Sequence, residues 1–159
     1  MFFLLFILML IDGQLSYLLS SIFSYHLMIS SHLFLLGLLY FYHEKDNIFI
    51  LLSSMVLGII FDVYYLNIIG IMLVLLPIIV FIISRVSKSF FFGIFQTLVF
   101  YIIILFLFEI IGFVLSYLIG MTTMSLPQFI TYSFAPTLIY NFLMYFVVHR
   151  ILKKIFFEG

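Results

Sequence analysis

The sequence predicts an all-α integral membrane protein: a compact bundle of about six transmembrane helices, with both termini cytoplasmic. Three observations carry that prediction. The chain of 159 residues is 67% hydrophobic and only 8% charged, whereas a soluble domain carries roughly 25% charged residues to cover its surface. Its mean hydropathy is +1.45, with apolar stretches long enough to cross a core of about 30 Å between short polar breaks. The basic residues are also sorted to one side. With six spans and the N-terminus inside, Lys45, Arg85, Lys88, Arg150, Lys153 and Lys154 all fall on the cytoplasmic face, as the positive-inside rule requires. One polytopic domain over 1–159 accommodates all of this.

The first span is expected over 1–22. It begins Met1-Phe2-Phe3-Leu4-Leu5, without a basic leader or a small-residue cleavage site, and reads as a retained helix. The second is expected over 25–42, after the break at Ser24-Tyr25, and ends at His43-Glu44-Lys45-Asp46-Asn47. Ile48 to Ser84 is almost continuously apolar, yet one helix of that length would run roughly 55 Å. It must fold back, and Tyr64-Tyr65-Leu66-Asn67 is the polar, aromatic place to turn. That gives spans at 48–65 and 67–84. The fifth, 90–120, is long enough to tilt, or to lay its first turn, Phe90–Phe92, in the interface. The charge-free stretch from Met121 to Thr131 then leads to a sixth span at 132–152.

Polar residues inside these spans fall on stripes. Asp12, Ser16 and Ser20 recur every fourth residue in the first, and Ser54, Gly58 and Asp62 do so in the third. Glu109, Gly112, Ser116 and Gly120 form a similar line in the fifth. Small residues let helices approach closely, and acids at membrane depth face protein instead of lipid. These three faces are therefore expected to point into the bundle or toward a partner. The buried acids Asp12, Asp62 and Glu109 have no lysine or arginine at their depth. Their simplest role is hydrogen bonding across helices, with Asp62 capping the turn at Tyr64–Asn67 and Asp12 paired with His32. A proton- or cation-binding site is the sharper alternative. His43 and His149 fall near the cytoplasmic face, where they are interfacial.

Several chemistries find no residues. The chain has no cysteine, so disulfides, thiolate metal sites and thiol catalysis are excluded. His26 and His32 do not share a helix face, so they make no helical metal pair. No nucleophile elbow, zinc-peptidase motif or phosphate loop occurs, and no catalytic set, cofactor site or nucleic-acid surface is expected. Pro77 interrupts the fourth span with Gly70 before it, which predicts a kink accommodated by neighbouring helices. The basic tail from Arg150 to Lys154 suits anionic lipid headgroups.

Gly58-x-x-x-Asp62-x-Tyr64-Tyr65, followed by Gly70 and Pro77, resembles the MreD family of rod shape-determining proteins. Members carry a glycine-rich third helix ending in Gly-x-x-x-Asp, a short turn, a further glycine and a proline-containing fourth helix. Asp12-Gly13-Gln14 is similar to the first helix of Gram-positive members, and the heavy use of Phe, Ile, Leu, Tyr and Lys suits a low-GC bacterium. Ser54 departs from the pattern where many members have another glycine, as does Asn67 in the turn. The resemblance implies a non-enzymatic, multi-pass subunit of the cell-elongation machinery in the bacterial plasma membrane. Its implied partners are the single-pass scaffold MreC and, through it, the MreB cytoskeleton and the peptidoglycan synthases. Ser54, Gly58, Asp62, Gly70 and Pro77 would then shape a helix-packing or partner-docking surface, with Asp12, His32 and Glu109 as buried polar residues. The resemblance also implies a fold akin to the substrate-binding S-components of energy-coupling-factor vitamin transporters. A vitamin-binding subunit, with Thr122–Gln128 as its lid, is the alternative function.

Overall fold

A computed structural model describes residues 2–24, 26–44, 47–68, 70–86 and 93–157, and among them the chain is helix joined by turns and irregular segments, with no strand. Lys45, Lys88 and the Phe90–Phe92 turn lie outside the described residues. Helix α1 runs Phe2–Ile22, α2 Leu33–Glu44 and α3 Asn47–Phe61, the last continuing through a wider π turn at Asp62–Leu66. Helix α4 is Ile71–Ile83 and α5 Ile94–Leu118. A single turn, α6 (Leu126–Phe129), passes through a second π turn (Ile130–Phe134) into α7 (Ala135–Phe157), making one continuous rod. Four of these stretches are long and apolar enough to cross a membrane: Phe2–Ile22, Ile48–Leu66, Ile94–Leu118 and Leu126–Ile151.

The two shorter apolar helices are where expectation and structure part. The second span does not begin near residue 25 but at Leu33. At 1.5 Å per residue α2 covers only about 18 Å, and the residues before it, Met28–His32, form an extended, non-helical segment. Helix α4 is likewise short, beginning only at Ile71, and the tyrosines expected to make the turn, Tyr64 and Tyr65, belong to the π turn that continues α3. The last rod starts at Leu126 and ends at Phe157, so most of the predicted outer loop is helix. Ser125 explains that start. Its backbone N–H and its hydroxyl both donate to Gln128 Oε1, and Pro127 occupies the first turn, where its missing N–H costs nothing.

Helix α2 is the axis of the bundle. From Leu33 to Tyr42 every residue is buried, consistent with the rule that a helix apolar all round is covered all round. Helices α1, α3, α5 and α7 pack around it, and α3 lies along α4. Three tyrosines fill the deep interior: Tyr40, Tyr101 and Tyr145. Tyr40 meets the His149 ring nitrogen, so His149 is a buried partner of the core.

Candidate polar centre and cavity

Main chain that is not helical cannot be left unsatisfied inside a membrane, because each bare N–H or C=O costs several kcal/mol. The segment Met28–His32 meets that requirement with groups from α1, α5 and the α6–α7 rod. Met28 donates to the Tyr132 carbonyl at 2.8 Å. Ser30 N–H donates to Thr137 Oγ1 at 3.1 Å, and its carbonyl accepts from Asn141 Nδ2 at 2.7 Å. Ser31 N–H donates to Ser16 Oγ at 2.8 Å. His32 N–H donates to Asn141 Oδ1 at 2.9 Å, and its carbonyl accepts from the Tyr101 hydroxyl at 3.2 Å. Every hydrogen-bonding group of the segment named here is held by α1, α5 or the α6–α7 rod.

Asp12 completes the arrangement by capping α2. Its carboxylate accepts the N–H groups of Leu33 at 2.8 Å and Phe34 at 2.6 Å, and the Ser31 hydroxyl at 2.6 Å. The first N–H groups of a helix lack partners within it and carry the positive end of its dipole, so a carboxylate there is doubly favourable. Ser16, one turn along the same stripe, donates to the Asp12 carbonyl at 2.7 Å. The expected Asp12–His32 bond is therefore absent. His32 turns the other way, its Nε2 lying 2.6 Å from Glu109 Oε1 on α5, with its ring edge-on to Phe108.

Asp62 repeats the device at the other short helix. Its carboxylate accepts N–H groups from Gly70 at 2.8 Å, Met72 at 2.8 Å and Leu73 at 3.1 Å, so it caps the start of α4, not the turn at Tyr64–Asn67. Gly58 makes this possible. A Cβ there would lie 2.6 Å from the Met72 carbonyl oxygen, so only glycine lets the α3 and α4 backbones come together. Gly70 takes φ 138°, a region that strains L side chains. Ser54 is fully buried on the same face and donates within its own helix to Leu51. Pro77 lies inside α4, its flank half-buried.

Two of the three stripes, those of α1 and α5, meet at a cavity of about 400 Å³, while Ser54, Gly58 and Asp62 do not line it. Asp12, Gly13 and Ser16 line one side, and Glu109, Gly112 and Ser116 another. His32, Tyr65, Thr122 and Ser133 close it, with Phe34, Phe108, Phe113 and Phe129 supplying aromatic walls. It occupies the half of the bundle built from the end of α1, the start of α2, the α3–α4 turn and the end of α5. Arg85 and Lys154 lie at the opposite ends of α4 and α7. Gly120, the last member of the α5 stripe, falls beyond that helix at φ 79°. Among the described residues no group of three acids, histidines or cysteines could hold a metal.

Thr137 and Asn141 are fully buried and organise the extended segment, yet sequence reasoning passed over them. The available signal was an asparagine within an otherwise apolar span, since polar side chains at that depth commonly bridge helices.

The family model described as rod shape-determining protein MreD matches residues 1–156. The cell shape-determining protein MreD of Streptococcus pneumoniae is 32% identical over 145 residues, covering 91% of this chain and 88% of that protein. No solved structure matches.

Proposed function

We propose that this chain, which belongs to the MreD family of rod shape-determining proteins, is a non-enzymatic, multi-pass subunit of a cell-shape complex in the bacterial plasma membrane. Its role is to seat the transmembrane helix of a single-pass, MreC-like scaffold, and through that scaffold to engage the MreB cytoskeleton and the peptidoglycan synthases. Both termini would face the cytoplasm, following the sorting of the basic residues. The observation that carries the reading is the family match, which extends along residues 1–156.

The use made of the buried acids supports a structural role. Asp12 satisfies two N–H groups that α2 leaves open and the Ser31 hydroxyl, and Asp62 satisfies three N–H groups at the start of α4, an arrangement that fixes shape. Ser54, Gly58 and Asp62 are turned toward α4 and buried, so their contribution would be to helix packing. A partner helix needs an open face, and α1 offers one. Phe3, Ile7, Ile11, Leu18 and Ile22 are exposed along it, and Gln14 is exposed in their midst. An amide on an apolar stripe is what a second helix would hydrogen-bond.

The test is affinity purification of the tagged chain from its own membranes, beside Gln14→Leu and Gly58→Leu variants. The expected result is a single-pass partner retained by the parent and lost from Gln14→Leu at an unchanged expression level. Retention of that partner, with normal cell shape or growth-zone placement, would overturn the assignment of this face. Gly58→Leu should lower the amount of folded protein.

A further inference from the structure

We propose that the cavity is a binding site for a compact amphiphile carrying a protonated amine, with Glu109 as the residue that receives the amine. Size comes first. About 400 Å³ lies in the range of small-molecule pockets, which are mostly apolar with a few placed polar groups. The walls fit that description, with Phe34, Phe108, Phe113 and Phe129 against a few hydroxyls, the His32 ring and two carboxylates, Asp12 and Glu109.

Charge decides the class of ligand. Two helix N-termini, those of α2 and α4, begin at this end of the bundle and would ordinarily attract an anion. Both are already occupied by the chain's own carboxylates, Asp12 and Asp62. The cavity therefore offers no vacant anion seat. Glu109 is different from those two acids. It meets only His32, through Oε1, and its carboxylate makes no other hydrogen bond among the described residues. Its second oxygen remains as an acceptor, beside a cavity whose low polarity strengthens a charge-assisted bond.

The serines agree with this assignment. Ser16, Ser54 and Ser84 each donate to a carbonyl of their own helix, the usual resort of a hydroxyl in apolar surroundings. Ser116 and Ser133 line the cavity, and among the described residues their hydroxyls make no such bond. Their hydroxyls are available to a ligand's polar end, while the aromatic walls take its body and, by cation–π attraction, favour a cation over an anion.

The experiment uses the full chain in lipid nanodiscs and three probes of one shape: 2-phenylethylamine, 2-phenylethanol and phenylacetate. Isothermal titration at pH 7 reads their affinities against Glu109→Gln and Gly112→Leu. Gly112 lines the cavity, and a Cβ built there makes only ordinary contact, 3.7 Å from Leu75, so a leucine side chain at that position is accepted by the backbone and takes up cavity volume. The expected result is an amine bound about tenfold more tightly than the alcohol, with the carboxylate weakest. Glu109→Gln should erase the preference and Gly112→Leu should abolish binding. Equal binding of all three probes, binding of none, or unchanged amine binding by Gly112→Leu overturns the proposal. If Glu109→Gln does not fold, the ranking of the probes on the parent chain and the Gly112→Leu result decide it.

Discussion

Asn141 Oδ1 accepts the backbone N–H of His32 at 2.9 Å, while its amide nitrogen donates to the Ser30 carbonyl at 2.7 Å and the Thr137 carbonyl at 2.8 Å. One side chain of α7 thus performs for an extended segment what a neighbouring strand performs in a sheet.

Replacing Asn141 with leucine should consequently leave a buried N–H and a buried carbonyl bare. Each is worth about 1–3 kcal/mol when left without a partner, so a loss of about 2–5 kcal/mol in stability is expected. Thermal unfolding of the purified protein in mild detergent, followed by circular dichroism, measures it. A melting temperature equal to the parent's would show that the segment holds itself.

The two caps should respond alike. Asp62→Ala removes the acceptor for three N–H groups and should cost about 3–5 kcal/mol. Asp62→Asn keeps one acceptor oxygen and should cost less. The same order is expected for Asp12→Ala and Asp12→Asn at the start of α2. Midpoints of unfolding in a series of detergent mixtures would rank the four variants, and equal loss from alanine and asparagine would argue against capping.

Three glycines make a graded set. Gly58→Ala forces a Cβ to within 2.6 Å of a main-chain oxygen and should destabilise by about 1–3 kcal/mol. Gly70→Ala meets no neighbour, yet φ 138° should cost it about 1–2 kcal/mol through strain alone. Gly112→Ala makes only ordinary contact and should fall within about 0.5 kcal/mol of the parent. Yields of folded protein by fluorescence-detected size exclusion would resolve the order.

His32 and Glu109 should prove energetically coupled. Glu109→Gln and His32→Ala, made singly and together, complete a double-mutant cycle in which the pair is expected to show about 1–2 kcal/mol of interaction. Simple additivity of the two losses would mean that the 2.6 Å contact contributes nothing of its own.

Much of this architecture was open to reading before any coordinates. Apolar lengths and the placement of basic residues marked a membrane bundle, because desolvation leaves little freedom in how such sequences are laid down. The α3–α4 hairpin was legible too, since a continuously apolar run cannot cross twice without turning. What escaped was the break ahead of α2. Leu27-Met28-Ile29 followed by two serines reads as ordinary helix by hydropathy. The reason it is extended lies in Thr137 and Asn141, distant in sequence. Similarly, matching depth made Asp12 a reasonable partner for His32, but depth does not say which neighbour a ring faces. The α2 N-terminus had first claim on Asp12, leaving His32 to Glu109. Ser30-Ser31-His32 immediately ahead of an apolar run was the local hint of a helix start.

The separation between the extended segment and its partners bears on how the protein is made. His32 and Asn141 are 109 positions apart, so α7 leaves the ribosome long after the segment it must satisfy. Until then the backbone of Met28–His32 has no proper place in hydrocarbon, and α2 by itself is too short to hold a transmembrane position. The segment is therefore expected to settle only once the last helix has arrived. In this chain the start of α2 is completed by the final helix, and truncation before Asn141 is expected to leave Ser30 and His32 without the partner that holds them.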